Sequence, residues 1–379
     1  MARIVRTLTK RICIFINLVV ALLFLGSCLN GFLNPVNWWF FSLLGLIFPL
    51  LLLLVTGFFL FWLFFRSRWI AISLIALVLG FTNIRVFIGF HFASSFKAEK
   101  KEGSIRVLTW NVRWFDDQTK LRKDIPSDRK KMLEFIKEQD ADILCFQEYF
   151  EPGKKAGYSN EKELRQLNYP YCYRAVDYGR KNGPYEVGVA IFSRFPIVDT
   201  MQLKYPGPES LRAAESLISC DLNVNGQTIR IFTTHLQSVL FRKKDYRDLQ
   251  IIKNAEDSII NASKSIVNKL KRGYTFRAYQ ADLVRQHLDE SPHPEIICGD
   301  FNDVPNSYAY FRIKGNRQDV FVRKGAGIGR TFSRISPTLR IDYILADKAF
   351  EVLQYKRFPL PYSDHFPVVA DLALPSGSK

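Results

Sequence analysis

No CxxC pair and no zinc-ligand spacing occurs among the six cysteines, which excludes a zinc-stapled fold. Internal repeats and low-complexity tracts are also missing, so no solenoid accounts for the 379 residues. Acidic residues are scarce at the start: up to Glu102 there are ten basic residues and two acidic ones. The formal charge of +17 therefore leaves 17 − 8 = +9 for the remainder. A positive domain attracts anionic partners, and a basic surface beside a membrane has the same composition. Cys145 and Cys298 lie inside apolar strand-like runs and read as buried thiols. Cys172 and Cys220 could pair only if the fold joins them.

What the chain does have is apolar sequence concentrated in its first hundred residues. Three stretches follow one another: Ile12 to Leu29, Trp38 to Phe65, and Trp69 to Phe92. A bilayer core of about 30 Å needs roughly 20 apolar residues as helix, because lipid offers no partner to an unsatisfied backbone. The first two stretches meet that demand. In the third, the uninterrupted part Trp69 to Phe81 is short, and Arg85 must snorkel to the interface. Arg3, Arg6, Lys10 and Arg11 precede the first stretch, Arg66 and Arg68 separate the second from the third, and the loop 31–37 is uncharged. The positive-inside rule then places the N-terminus in the cytoplasm and, after three crossings, the rest of the chain outside. Lys97, Lys100 and Lys101 on that far side argue mildly the other way. Leu25-Gly26-Ser27-Cys28 resembles a lipoprotein cleavage site, but two further apolar stretches follow it, which a lipid-modified cysteine does not need. The expected organisation is a membrane anchor over 1-102, with spans at about 12-29, 38-65 and 69-92, and a soluble domain over 103-379.

In the soluble part, alternation and β-branched content predict strands at Ile105 to Trp110, Asp142 to Gln147 and Glu186 to Ser193. Glu215 to Leu222 and Thr228 to Thr234 flank Asn225-Gly226, a hairpin signal. Glu295 to Cys298, Arg340 to Ala346 and Phe366 to Leu372 read as further strands. Pro126 to Gln139 has helical spacing, and Tyr246 to Asp289 is basic and largely helical, with a break expected at Gly273. Strands and helices mix without strict βαβ alternation, which predicts an α/β (α+β) fold with mixed sheets and helices outside.

These apolar strands keep ending in polar residues. The endings are Thr109-Trp110-Asn111-Val112-Arg113, Phe146-Gln147-Glu148, Thr233-Thr234-His235-Leu236 and Gly299-Asp300-Phe301-Asn302, followed by Arg340-Ile341-Asp342-Tyr343 and Ser363-Asp364-His365. In this order the six elements resemble the endonuclease/exonuclease/phosphatase (DNase I-like) superfamily, over about Ser104 to Leu374. The resemblance implies a four-layer sandwich with two central mixed β-sheets flanked by helices, here preceded by three transmembrane helices. It implies hydrolysis of phosphodiester or phosphomonoester bonds by activated water, with Mg²⁺, or Mn²⁺ in its place, as cofactor.

Hydrolysing an anionic ester requires charge neutralisation and an activated nucleophile, and a hard cation takes oxygen ligands for this purpose. By match to the family motifs, Glu148 is the first carboxylate ligand, Asn111 a neutral partner to metal or phosphate, and Asp364 a further metal or water ligand. Asn111 could also simply close its strand in an Asx turn. The same match makes Asp300 the group that orients or deprotonates water, with Asn302 bonded to nucleophile or phosphate. His365 and Asp342 read as a hydrogen-bonded dyad, the carboxylate fixing the imidazole's tautomer and favouring its charged form. Such a histidine either contacts a phosphoryl oxygen or acts as general base. His235 matches the family's second histidine, steadying developing charge. Arg113 could reach a phosphate as a fork donor or form a surface ion pair. The basic run between Arg242 and Arg285 could track a nucleic acid but has the look of a solvated helix face.

The expected substrates are nucleic acid, lipid headgroups or inositol phosphates. The membrane anchor and Thr234-His235-Leu236-Gln237, which resembles a sphingomyelinase motif, lean toward lipid, while the positive domain and the breadth of the family lean toward nucleic acid. The alternative is a catalytically inactive, membrane-tethered binding module that keeps the DNase I-like fold. That reading expects the loss of a motif residue, and none is lost.

Overall fold

The computed structural model describes residues 2–93, 95–116, 127–179, 183–207, 214–239, 243–254 and 259–374. The chain forms two compact units. One comprises Met1–Ile88, Phe241–Ala278 and Val304–Arg312, and the other Gly89–Leu240, Tyr279–Asp303 and Ile313–Lys379.

In the first unit the apolar stretches form helices α1 (Ala2–Cys28), α2 (Pro35–Leu46), α3 (Phe48–Phe64), α4 (Ile70–Leu79) and α5 (Phe81–Phe87). Among the described residues one continuous segment, Arg3–Gly31, is long and apolar enough to cross a membrane. The expected second and third spans are each broken, α2 against α3 by 56° and α4 against α5 by 64°. Three continuous transmembrane helices are thus not what forms. Pro49 fits the first break, since it lies in the first turn of α3, where its missing N–H costs nothing but cannot continue the ladder of α2, and Ile47 between the two helices sits at φ −91°, ψ 8°. At the second break Gly80 lies so close to Phe24 that a Cβ there would stand 2.5 Å from the ring. Phe24 also stacks on Phe48 at 5.4 Å, and Phe48 meets Phe87 edge-on at 5.5 Å.

Buried amides tie this unit together. Asn30 Nδ2 donates to the Asn306 carbonyl at 2.6 Å, and its Oδ1 accepts from Ser42 Oγ at 3.2 Å. Asn83 Nδ2 donates to Asn306 Oδ1 at 3.1 Å. A buried amide is costly unless hydrogen-bonded, so these bonds explain why Val304–Arg312 belongs with the N-terminal helices.

The second unit is built on strands β1 (Gly89–Phe90), β2 (Ser104–Asn111), β3 (Ile143–Pro152), β4 (Tyr171–Arg174), β5 (Tyr178–Gly179), β6 (Tyr185–Ser193), β7 (Ile197–Leu203), β8 (Glu215–Val224), β9 (Gln227–His235), β10 (Glu295–Asp300), β11 (Gln318–Asp319), β12 (Ala326–Gly327), β13 (Asp342–Ala346), β14 (Glu351–Arg357) and β15 (Val368–Ala373). One mixed sheet runs β14-β15-β2-β3-β6-β4, with β5 on β6, and the other β11-β13-β10-β9-β8-β7. Pairing is parallel at β2–β3 and β9–β10.

Side chains alternate across each strand, and both faces of β2 are buried, each against a different core. Ile105 and Val107 face a core shared with Ile218, Cys220, Ile231 and Cys298 of the other sheet. Leu108 and Trp110, on the opposite face, pack with Met132, Phe135 and Ile136 of the helix Arg129–Gln139. The α+β architecture is thus as expected. Asn225 and Gly226 turn the β8–β9 hairpin with φ of 52° and 91°. The expected break at Gly273 does not occur, for Ile259–Asp289 is one helix. Burial of the neighbouring Tyr274 and Ala278 outweighs the roughly 1 kcal/mol that glycine costs in a helix. The start of the helix predicted from Pro126 lies outside the described residues. All six cysteines are free thiols, with Cys145 and Cys298 fully buried.

One ion pair locks the seven-stranded sheet. Arg106 on β2 and Asp371 on β15 stand opposite in register, each 1% exposed, joined at 2.7 and 2.9 Å. Arg106 Nη1 also donates to the Gln139 carbonyl at 2.9 Å, closing the C-terminal end of the helix beneath. Removing one partner leaves a buried charge alone, so Arg106→Ala is expected to destabilise this unit by about 3–5 kcal/mol. Urea unfolding followed by tryptophan fluorescence reads the change.

Candidate active site

The register of the six-stranded sheet builds the site. Asp300, the last residue of β10, is level with His235 on β9 and with Asp342 on β13. His235 is in turn level with Glu215 on β8. Residues level with one another on neighbouring strands project to the same face, so Glu215, His235, Asp300 and Asp342 form one row. All four are buried. His235 Nδ1 lies 3.3 Å from Glu215 Oε2, an ion-pair contact not aligned as a hydrogen bond, and its Nε2 lies 3.5 Å from Asp300 Oδ2.

The other sheet contributes Asn111 and Glu148. Glu148 sits in a bulge of β3, where the pairing register shifts between Phe146 and Tyr149. Bulges re-aim a side chain, and this one sets Glu148 at φ 49°, unfavourable for a residue with a Cβ by about 1–2 kcal/mol. Its backbone N–H donates to Glu215 Oε2 at 2.8 Å, which holds the bulge in place. Asn111 Nδ2 donates to Glu148 Oε1 at 3.2 Å and to Asp300 Oδ2 at 3.1 Å. One amide therefore spans the two sheets' carboxylates. Asn111 Oδ1 accepts the Arg113 N–H at 3.1 Å, which makes the Asx turn and fixes which end of the amide faces the acids.

His365 completes the cluster. Both Asp342 oxygens lie 3.0 Å from its Nδ1, and its Nε2 lies 3.5 Å from Asp300 Oδ2. The Trp110 indole N–H donates to the His365 carbonyl at 2.9 Å, and Ser363 Oγ donates to the Asn111 carbonyl at 2.9 Å. Asp342 is held at its backbone, its N–H donating to Thr331 Oγ1 at 3.1 Å. Asp300, Asp342 and His365 present ligand-type atoms all within 4.8 Å of one another.

Asn111, Glu148, His235, Asp300, Asp342 and His365 are thus brought together. Asn302, at φ 52°, donates its N–H to Asp300 Oδ1 at 2.8 Å, while its side chain bonds the Leu236 carbonyl at 3.0 Å. Asp364 is not in the cluster with Asp300, and its carboxylate meets Arg334 at 3.4 Å. Arg113 is half-buried and opens a run of four left-handed residues ending at Asp116. Sequence reading missed Glu215 and Thr331. Glu215 is a carboxylate opening a largely buried strand, and nothing beside it in the sequence attaches it to a motif.

Burial lowers the basicity of both imidazoles, but acidic neighbours win. His235 is pushed up to about 9 by Glu215, Asp300 and Glu148. His365 is pushed up to about 10 by Asp342 and Asp300. Burial raises Glu148, Glu215 and Asp342 above their ordinary values, opposed in each case by an imidazole. Four carboxylates, Glu148, Glu215, Asp300 and Asp342, stand with two imidazoles in this site, and carboxylate oxygens are the donors a hard cation takes.

A profile described as the endonuclease/exonuclease/phosphatase family matches residues 108–365. A second, described as a domain of unknown function, matches residues 10–87. No curated protein matches. Among solved structures, an endonuclease/exonuclease/phosphatase from Beutenbergia cavernae DSM 12333 is similar in fold, with a TM-score of 0.50 at 21% identity, over 72% of this chain and 72% of its own. The human Nocturnin catalytic domain with bound sulfate anion gives a TM-score of 0.49 at 19% identity, covering 72% of this chain and 94% of its own. The mannosyl-6-phosphatase of Bacteroides thetaiotaomicron VPI-5482 gives 0.47 at 21% identity, covering 71% and 99%.

Both folded imidazole values stand above the unfolded value of 6.5. Their stabilising contribution is therefore full below about pH 6.5 and is lost as pH rises through about 9 and 10. In protein stripped of divalent ions, the urea midpoint is expected to fall between pH 7 and pH 10. Asp342→Asn is expected to bring the His365 titration, followed by NMR, down toward the ordinary histidine range.

Proposed function

The chain belongs to the endonuclease/exonuclease/phosphatase family, and on that premise we propose that it is a membrane-anchored, divalent-cation-dependent hydrolase of phosphate esters. One observation carries the reading: the Asn111 amide bridges Glu148 and Asp300 from two different sheets, inside a buried site of four carboxylates and two imidazoles. A catalytically idle fold has no use for so costly an arrangement.

Glu148 and Asp300 would hold the cation, Mg²⁺ or Mn²⁺, which when bound neutralises the phosphate's charge and polarises its ester. Asn111 fixes the distance between those carboxylates. Asp300 orients the attacking water and takes its proton. His235 and His365 would donate toward phosphoryl oxygens as charge develops. Asp342 behind His365 and Glu215 behind His235 hold the rings in place. Asn302 keeps the loop after β10 closed on Asp300 through its N–H.

Anchoring is proposed from the apolar continuity of Arg3–Gly31. We assign the N-terminus to the cytoplasm and, counting each bent pair as one crossing, the unit that holds the site to the outside.

Turnover of bis-p-nitrophenyl phosphate, DNA, RNA, sphingomyelin and inositol phosphates, with and without Mg²⁺, tests the chemistry and ranks the substrates. Glu148→Ala and Asp300→Ala are each expected to cut kcat/KM by about 10²–10⁴ while the melting temperature holds. Wild-type turnover surviving full chelation would overturn the cation's role. For anchoring, the full chain is expected to stay in the membrane pellet after alkaline carbonate extraction, and its appearance in the supernatant counts against a span.

A further inference from the structure

The first 88 residues carry seven Lys or Arg and no Asp or Glu. Folding of the N-terminal helices gathers five of those cations around one open cavity of about 890 Å³. Arg6, Lys10 and Arg11 come from α1, and Arg66 and Arg68 from the turn between α3 and α4. No carboxylate lines the cavity. Five like charges around one space repel one another unless an anion joins them.

The turn that presents Arg66 is tightly made. The Ser67 N–H reaches back to the Trp62 carbonyl and the Arg66 N–H to the Leu63 carbonyl, both at 3.0 Å. Arg66 itself is left-handed at φ 48°, where glycine is the usual residue. Arg68 lies over the Trp69 ring at 5.4 Å. Trp62 adds an independent sign of a missing acceptor. It lines the cavity and is 4% exposed, and its indole N–H has no hydrogen-bond partner among the described residues. A buried donor left unpaired costs about 1–3 kcal/mol. The remaining wall includes Ile14, Phe61 and Phe65, which are apolar.

We propose that this cavity is a binding site for the phosphate of an anionic lipid, its headgroup among the five cations and the Trp62 N–H, its glycerol and first acyl carbons along the apolar wall. A free phosphate ion satisfies the charges equally but leaves that wall in water, which is why the lipid is the better complement. The inference rests on the reading that these helices lie in a membrane. It is separate from the hydrolytic site.

Native mass spectrometry of the full chain in neutral detergent tests it. The probes are dioleoylphosphatidylglycerol, dioleoylphosphatidylcholine and sodium phosphate. The wild type is expected to retain one phosphatidylglycerol with about tenfold preference over phosphatidylcholine, undisturbed by millimolar phosphate. The double variant Arg66→Gln/Arg68→Gln is expected to lose that preference. Trp62→Phe keeps the bulk but removes the N–H, and is expected to weaken retention severalfold while turnover of a soluble diester is unchanged. Equal retention of the two lipids by the wild type, or an unaltered preference in both variants, overturns the site. Displacement by phosphate overturns the lipid assignment in favour of a free-anion site. A chain that stays in solution without detergent would instead sink the membrane reading.

Discussion

Burying Glu215, His235, Asp300 and Asp342 in one row across four hydrogen-bonded strands is the constraint on which the rest of the site depends. Each carboxylate in water would be solvated at little cost, and inside the protein it needs a partner. The row supplies one partner by alternation, an imidazole between Glu215 and Asp300, and His365 supplies the second beside Asp342 and Asp300. Three acids in the row, with Glu148 from the other sheet, face these two imidazoles, an arrangement rich in the oxygen donors that a hard cation takes.

The second sheet serves the first. Its strand β2 ends at Asn111, whose amide reaches across to Asp300, and its bulged strand β3 turns Glu148 toward the same point. The bulge is strained, and the bond from the Glu148 N–H to Glu215 shows what holds it. Glu215 thus acts twice, once behind His235 and once beneath Glu148. The segment between β14 and β15 closes the ring, Ser363 bonding the Asn111 carbonyl and the Trp110 indole bonding the His365 carbonyl. Few of these contacts involve flexible surface groups, so the geometry is set by strand pairing and packing, the stiffest parts of the unit.

The N-terminal unit follows a different logic. Its few buried polar side chains are used to join helices: Ser73 donates to Asn17 at 2.8 Å between α1 and α4, and Asn30, Asn83 and Asn306 form a group at the other breaks. Proline and close helix contact at glycine bend what a hydropathy reading takes as straight spans. Its cations collect at one end of the helices, around a cavity lined by no acid.

Much of this was legible in the amino-acid order. The alternation in Ile105 to Trp110 and the Asn225-Gly226 turn are local patterns that marked a real strand and hairpin, and the polar endings of apolar strands marked several of the residues that the fold brings together. The exposed edge strand β14 was not legible, because half-exposed residues blur the alternation. The straightness of Trp38 to Phe65 was misread because apolar character reports the solvent a segment prefers, not the direction of its axis. Glu215 escaped because nothing beside it in the chain says that it will face His235. Local sequence determined which residues lie at strand ends and that they are acids, amides and imidazoles. Only the tertiary structure decided that Glu148 and Asp300 share one amide, that Asp364 turns to Arg334, and that Glu215 belongs to the site. The physical reason is register: neighbours within a strand are set by covalent order, whereas neighbours across strands are set by pairing between distant segments, which no short stretch of sequence contains.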